Sequence, residues 1–217
     1  ASSPGTFEIT SDVITFTGGS VPAVATLLRV ATSTPLLGVA LNQSTNERVV
    51  TLDLYLENLS AETLTDPKAW LNLDSIFGSE NYQINAGPTL IVDPGTIEIN
   101  PDYDGSGDDQ LIFVPVNTGR GGMDSTLTAG TQAQIRLDVE LLSRTDQGSG
   151  VGVYTAQASA QAESSTGLSR DLSDEGTDPD PNGNGDPGEA GENDVTGISI
   201  SALDALGAAL SVDVLPY

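Results

Sequence analysis

Strict alternation of apolar and polar residues in two separate stretches is what most narrows the folds open to this chain. Val50, Leu52, Leu54 and Leu56 alternate with Thr51, Asp53, Tyr55 and Glu57. Ile135, Leu137, Val139 and Leu141 alternate with Arg136, Asp138 and Glu140 in the same way. Successive side chains of a strand point to opposite faces, so a period of two marks a strand with one face buried and one in water. A third stretch, Tyr154, Ala156, Ala158, Ala160 and Ala162, predicts one strand whose small side chains let a neighbour approach closely. Weaker strand patterns lie near residues 6–17, 68–73, 89–92, 96–99, 110–116, 195–201 and 211–215. Turns are expected at Gly18-Gly19, Asn85-Ala86-Gly87-Pro88, Asp93-Pro94-Gly95 and Gly119-Arg120-Gly121-Gly122.

Helix signals are few. Ala202 to Leu210, with Ser201 as its cap, is the best candidate, and Asp74-Ser75-Ile76-Phe77 suits a single turn. Seven or more short strands with so little helix predict an all-β, immunoglobulin-like β-sandwich, with a jelly roll as the alternative. The sandwich is expected over residues 36–200. Residues 1–35 form a strand-like N-terminal extension, and residues 201–217 a C-terminal helix and strand.

Charge then restricts the partners. The 217 residues carry 31 acids against 7 bases, a net charge of −24, and Lys68 is the one lysine. Nucleic acid and anionic lipid need clustered Lys and Arg, so neither is expected as a partner, whereas cations are. No apolar run approaches the roughly 18–20 residues needed to span a bilayer, so no membrane insertion by a helix is expected. The start, Ala1-Ser2-Ser3-Pro4, suits a mature exported protein. The chain has no cysteine and no histidine, which removes disulfides, thiolate sites, the usual zinc ligand and the usual general base.

The segment from Asp171 to Asp194 differs from the rest, with nine acids, no base and three prolines. A disordered acidic linker is one reading of such a composition. Its spacing suggests another. Residues 178–189 lie on the twelve-residue calcium loop with Asp178, Asp180 and Asn182 at positions one, three and five, and Gly183 at the sharp turn. Asn184 offers a carbonyl at position seven, Asp186 stands at nine and Glu189 at twelve, the bidentate position. Alternate residues bring several oxygens to one side of a tight curve, which suits calcium better than the stricter octahedron of magnesium. The prolines forbid the paired helices of a signalling EF-hand, so a structural clasp is expected. A second candidate, Asn100 to Asp109, offers Asp102, Asp104 and Asp108, but Leu111 stands where the bidentate acid belongs. An Asp-Gly turn explains it equally well.

Tyr55-Leu56-Glu57-Asn58-Leu59-Ser60 with Leu64-Thr65 resembles an early strand of the conserved repeat domain of large bacterial surface proteins and adhesins. Tyr103-Asp104-Gly105-Ser106-Gly107-Asp108 and Leu127-Thr128-Ala129-Gly130 resemble it too. So does the ending, from Asp171-Leu172-Ser173 through Asp178-Pro179-Asp180-Pro181-Asn182-Gly183 to Glu192-Asn193-Asp194. Together these cover roughly residues 36–200. Only one such unit is present, and Val195-Thr196 stands where that family commonly has Pro-Thr-Pro. The resemblance implies an immunoglobulin-like sandwich at the bacterial cell surface, usually one bead of an extracellular array.

These features predict an extracellular structural protein, calcium-stabilised, acting as an adhesin module or a self-assembling filament subunit. The terminal strands either pair within their own sandwich or are donated to a second copy. A calcium-dependent module for a cell-surface glycan or protein is the alternative, with Trp70 and Tyr82 as stacking surfaces. Catalysis is not expected. Nothing places two carboxylates across a cleft, and nucleophilic triads of the common types lack their histidine. An isopeptide crosslink from Lys68 is disfavoured because Asp66-Pro67 before it reads as a turn edge.

Overall fold

The computed structural model describes residues 6–10, 13–17, 36–46, 48–113 and 125–200. The helix expected at 202–210, the strand at 211–215, the turns at 18–19 and 119–122 and the end of the 110–116 pattern lie outside the described residues. Strands β1 (Thr6–Thr10) and β2 (Val13–Thr17) pair with each other as an antiparallel hairpin, Thr6 opposite Thr17 and Thr10 opposite Val13. That hairpin belongs to a unit of residues 1–34, and the remaining strands to a unit of residues 35–217.

The larger unit is an immunoglobulin-like sandwich of two sheets. Strands β3 (Leu37–Asn46), β4 (Val49–Asn58), β6 (Tyr82–Val92), β8 (Gln132–Leu141) and the short β12 (Asp174–Glu175) form one sheet in the order β12-β3-β4-β8-β6. Strands β5 (Leu64–Trp70), β7 (Thr126–Leu127), β10 (Ser159–Ser164) and β11 (Gly167–Leu172) form the other, ordered β11-β10-β5-β7. A separate pair joins β9 (Val153–Ala156) to β13 (Thr196–Ser199). From β4 to β8 the chain changes sheet at each successive strand, and this brings both sheets' apolar faces into one core. The alternating residues meet there as expected. Leu52, Leu54, Leu56, Ile135, Leu137 and Val139 from one sheet face Leu64, Ala69, Ala160 and Ala162 from the other, all nearly free of solvent exposure.

On the outer face of the β4–β8 pair, polar partners sit in register. Asp53 lies opposite Arg136 and takes two hydrogen bonds from its guanidinium, at 2.8 and 2.9 Å. Thr51, opposite Asp138, donates to its carboxylate at 2.6 Å. Helix α1 (Leu73–Phe77) is the single turn foreseen at 74–77, begun by the Asn72 side chain, which accepts the Ser75 N–H at 2.8 Å.

Several expectations need correction. The stretch 154–162 is two strands, because the chain leaves β13 after Ala156 and resumes beside β5 at Ser159. Asn85 to Pro88 is not a turn but part of β6, an exposed edge strand with register shifts at Ile84/Ala86 and Ala86/Thr89. Irregularity and a proline are tolerated there because no further strand must pair with that edge. Residues 96–99 and 110–112 make isolated bridges, Thr96 to Thr126, Gln110 to Trp70 and Ile99 to Ile112, rather than full strands. Asp66-Pro67-Lys68 lies inside β5 rather than at a turn edge. Asp66 takes φ of +50° and, with Pro67, opposes the single residue Ala162, a bulge that removes the need for the proline's missing N–H. Lys68 forms an ion pair with Asp66 at 2.7 Å.

The motif residues Asn58, Ser60 and Leu127 meet in space. Asn58 is fully buried, donates to the carbonyls of Glu62 and Leu127 at 2.8 and 2.9 Å, and accepts from the Ser60 N–H and hydroxyl at 3.0 and 2.7 Å. It ties the β4–β5 turn to β7. Asn58→Ala removes the side-chain donor to the Leu127 carbonyl and the acceptor of the Ser60 amide, while the Glu62 carbonyl keeps the Ser60 hydroxyl at 2.9 Å. It should therefore lower the unfolding free energy by about 1–3 kcal/mol for each partner left unsatisfied. Urea denaturation checks this, with Ser60→Ala expected to cost less.

Candidate functional site

Leu37 to Leu41 of β3 are buried on both faces, although a strand of one sheet would bury alternate residues. The cause is the segment that follows β10. Beyond its pairing with β4, β3 turns its free edge toward β11, whose Ser169 hydroxyl accepts the N–H groups of Leu36 and Leu37 at 2.7 and 3.0 Å. The Asp171 carboxylate accepts the Val39 N–H at 2.8 Å. Strand β12 then pairs in parallel with Ala40 and Leu41, and Gly176 N–H donates to the Leu41 carbonyl at 3.0 Å. The Thr196 hydroxyl reaches the same carbonyl at 2.7 Å, and the Gln43 side chain donates to the Gly197 carbonyl at 3.1 Å. Pro179 packs over Gly38, where a Cβ would stand 2.9 Å from the ring, so only glycine admits this approach.

The acidic segment is therefore docked, and it is not a linker. Asp180 organises its loop: one oxygen accepts the Asn184 N–H at 3.1 Å, the other the Gly185 N–H at 2.7 Å. The Asn182 and Asn184 side-chain oxygens accept the Asn184 and Asp186 N–H groups at 2.9 and 2.7 Å. Asp178 is exposed and accepts the Asp180 N–H at 3.1 Å. Glu189 is half-buried and is held by the side-chain amides of Asn182 and Asn184. Asp186 caps Gly188 N–H at 3.3 Å.

Four acids of this segment, Asp171, Asp174, Asp180 and Glu192, are no more than 9% exposed. Asp53 is the one other acid so buried among the described residues, and it has Arg136. Burial pushes the Asp171 carboxyl up to about 7, partly offset by the Val39 and Leu172 amides and reinforced by Asp174 and Glu192. Burial also raises Glu192, with the neighbouring charges of Glu189, Asp180 and Asp174 in the same direction. The Asn182 amide draws it partway back, yet neither Glu192 oxygen receives a hydrogen bond of normal geometry. Among the described residues, no three acidic side chains converge at metal-ligand distance.

The predicted ligands of the first loop are thus together in one loop, with Asp178 at its solvent side. The buried acids Asp174 and Glu192 lie outside the 178–189 spacing, one before it and one after it. The second loop is self-satisfied. Asp104 accepts the Ser106 and Asp108 N–H groups, both at 2.8 Å, and these bonds hold its carboxyl below the usual range. Asp108 accepts from the Asn100 amide at 3.0 Å, and Asp102 is exposed. The turn docks on α1 through Leu73 N–H to the Gly105 carbonyl, 2.6 Å, and the Ser106 hydroxyl to Asp74, 2.8 Å.

No protein-family model and no curated protein matches this chain. Among solved structures, a GH20 exo-β-N-acetylglucosaminidase from Vibrio harveyi is similar over 65% of this chain, at 12% identity and a TM-score of 0.33. The match spans 18% of that enzyme's chain. ACE19, the collagen-binding subdomain of the Enterococcus faecalis surface protein ACE, is similar over 65% of this chain and 96% of its own, at 11% identity and a TM-score of 0.26. At such scores neither likeness bears on function.

The raised Asp171 value has a definite sign. Between about pH 4, where an unfolded aspartate ionises, and the folded value of about 7, the folded chain keeps a proton the unfolded chain has lost. Stability is then complete below this window and falls as pH rises through it. The melting temperature of the metal-free protein should fall from pH 4 to 7, and Asp171→Asn should make that fall shallower.

Proposed function

We propose that this chain is an extracellular structural module of the bacterial cell surface, calcium-stabilised, which serves as an adhesin domain or a filament subunit and not as an enzyme. The observation that carries this reading is the closed edge of β3. The protein spends an acidic, proline-rich segment on sealing a strand edge, which favours a module built to stay folded outside the cell. The sequence resemblance to surface-protein repeats supports the same reading. So does the buried acids' place within a structural clamp, in a sequence with neither His nor Cys. Self-association through the terminal strands remains part of the proposal.

Beads coated with the full chain should adhere to cells or matrix in calcium and detach in chelator. Negative-stain electron microscopy of the same sample separates regular filaments, expected of a subunit, from single particles, expected of an adhesin module. Neither adherence nor polymer would sink the structural reading.

One observation favours a second reading, a calcium-dependent carbohydrate- or ligand-binding module. Trp70 is half-buried in a depression of about 480 Å³, lined also by Gln161, Arg170, Gly188 and Asn193. An indole face with amide and guanidinium donors suits a sugar ring, and Gly188 and Asn193 belong to the acidic segment. Because Trp70 is the sole tryptophan, intrinsic fluorescence should change on titration with a bound oligosaccharide, and chelator should abolish the change.

A further inference from the structure

We propose that a calcium ion binds between Asp180 and Glu192, with Glu192 rather than Glu189 as the anchoring carboxylate, and that it locks the acidic segment onto the edge of β3. This rests on the calcium reading above and names the residues that would carry it.

Glu192 is the observation that points to a cation. It is 3% exposed, and among the described residues three buried side-chain oxygens lack a hydrogen bond, two of them its own. A buried carboxylate with no donor is costly unless it is neutralised or bound to a metal. Its neighbours worsen the cost, since Glu189, Asp180 and Asp174 all act on it as like charges. The ion pairs among the described residues, Lys68 with Asp66 and Arg136 with Asp53, lie elsewhere. A divalent cation answers both the missing donors and the repulsion.

The loop's hydrogen bonds also move its start. In a calcium loop the first acid gathers the amides of the turn while offering its remaining lone pairs to the ion. Asp180 does this toward Asn184 and Gly185, whereas Asp178 meets only the Asp180 amide. Counted from Asp180, Asn182 and Asn184 fall at positions three and five, and Gly185, with φ of +82°, at the sharp turn of position six. Glu192 follows one residue after position twelve, and Glu189 falls at ten with its oxygen already engaged by two side-chain amides. Calcium takes six to eight oxygens, and its sites in general draw amide oxygens, backbone carbonyls and water as well as carboxylates, so three converging acids are not required.

Position explains the consequence. Asp174, in β12, accepts the Asp194 N–H at 3.1 Å, and Gln157 donates to the Asn193 carbonyl at 3.0 Å, so the chain around Glu192 is tied to β12 and to the connection between β9 and β10. Fixing Glu192 to Asp180 closes the loop whose Pro179 covers Gly38 and whose end leads into β13.

The test uses the full chain, stripped of metal and titrated with calcium by calorimetry, with thermal melting followed in parallel. Wild type should bind calcium saturably and melt higher with it, with magnesium a poor substitute. Glu192→Gln should lose the calcium heat and the melting shift. It should still fold without metal, as far-ultraviolet circular dichroism would show, because it removes a buried charge. Glu189→Gln should keep both responses. Loss with Glu189→Gln and retention with Glu192→Gln would overturn this assignment while leaving calcium binding standing. Wild type that binds no calcium, or binds magnesium equally and without saturation, would overturn the site and the calcium reading together.

Discussion

The N–H groups of Leu36, Leu37 and Val39 point away from β4, and their acceptors come from residues more than 130 positions later. Everything distinctive about the sandwich follows from that arrangement. Backbone donors at a sheet edge must be satisfied or solvated, and here a hydroxyl and a carboxylate of β11 reach across from the opposite sheet to satisfy them. The two sheets are thereby joined by directed bonds as well as by apolar packing. The segment after β11 then continues along the same edge as β12, the Pro179 contact and β13.

That choice of acceptor has a cost. A serine can be buried with its bonds made, but Asp171 brings an acid into a site where no base pairs with it among the described residues, and its neighbours Asp174 and Glu192 add more of the same sign. The outer face of β4 and β8 shows the alternative, where Asp53 is answered by a bidentate arginine in register. The acids of the molecule therefore fall into two kinds. Some are solvated or matched to a base or to backbone amides, as at Asp53 and Asp104. Those near Glu192 are gathered and lack a base, and they form the one region whose electrostatics do not balance within the described residues.

The strand β11 shows why this was hard to read. Its sequence, Gly-Leu-Ser-Arg-Asp-Leu, alternates, and hydrophobicity alone would turn Leu168 and Leu172 inward. In the structure both leucines are nearly half exposed, at 48% and 47%, while Ser169 and Asp171 face in. The polar residues win because β3 presents amides there rather than side chains. Likewise the single alanine-rich pattern at 154–162 hides a change of partner, since period two continues across Gln157 although the hydrogen bonds do not.

By itself the sequence determined the all-β class, the two central strands β4 and β8, the helical turn at 74–77, the absence of histidine and cysteine chemistry, and the concentration of acid in residues 171–194. Each of these depends on local periodicity, turn chemistry or composition, which neighbouring residues carry among themselves. Only tertiary structure decided that the acidic segment seals the edge of β3, that Asn58 clamps β7, that β5 absorbs Pro67 in a bulge and that the buried Glu192 oxygens receive no hydrogen bond of normal geometry among the described residues. Those outcomes depend on which residues, distant in the chain, stand at hydrogen-bond distance, and on how far each is removed from water. Spacing along the chain records neither.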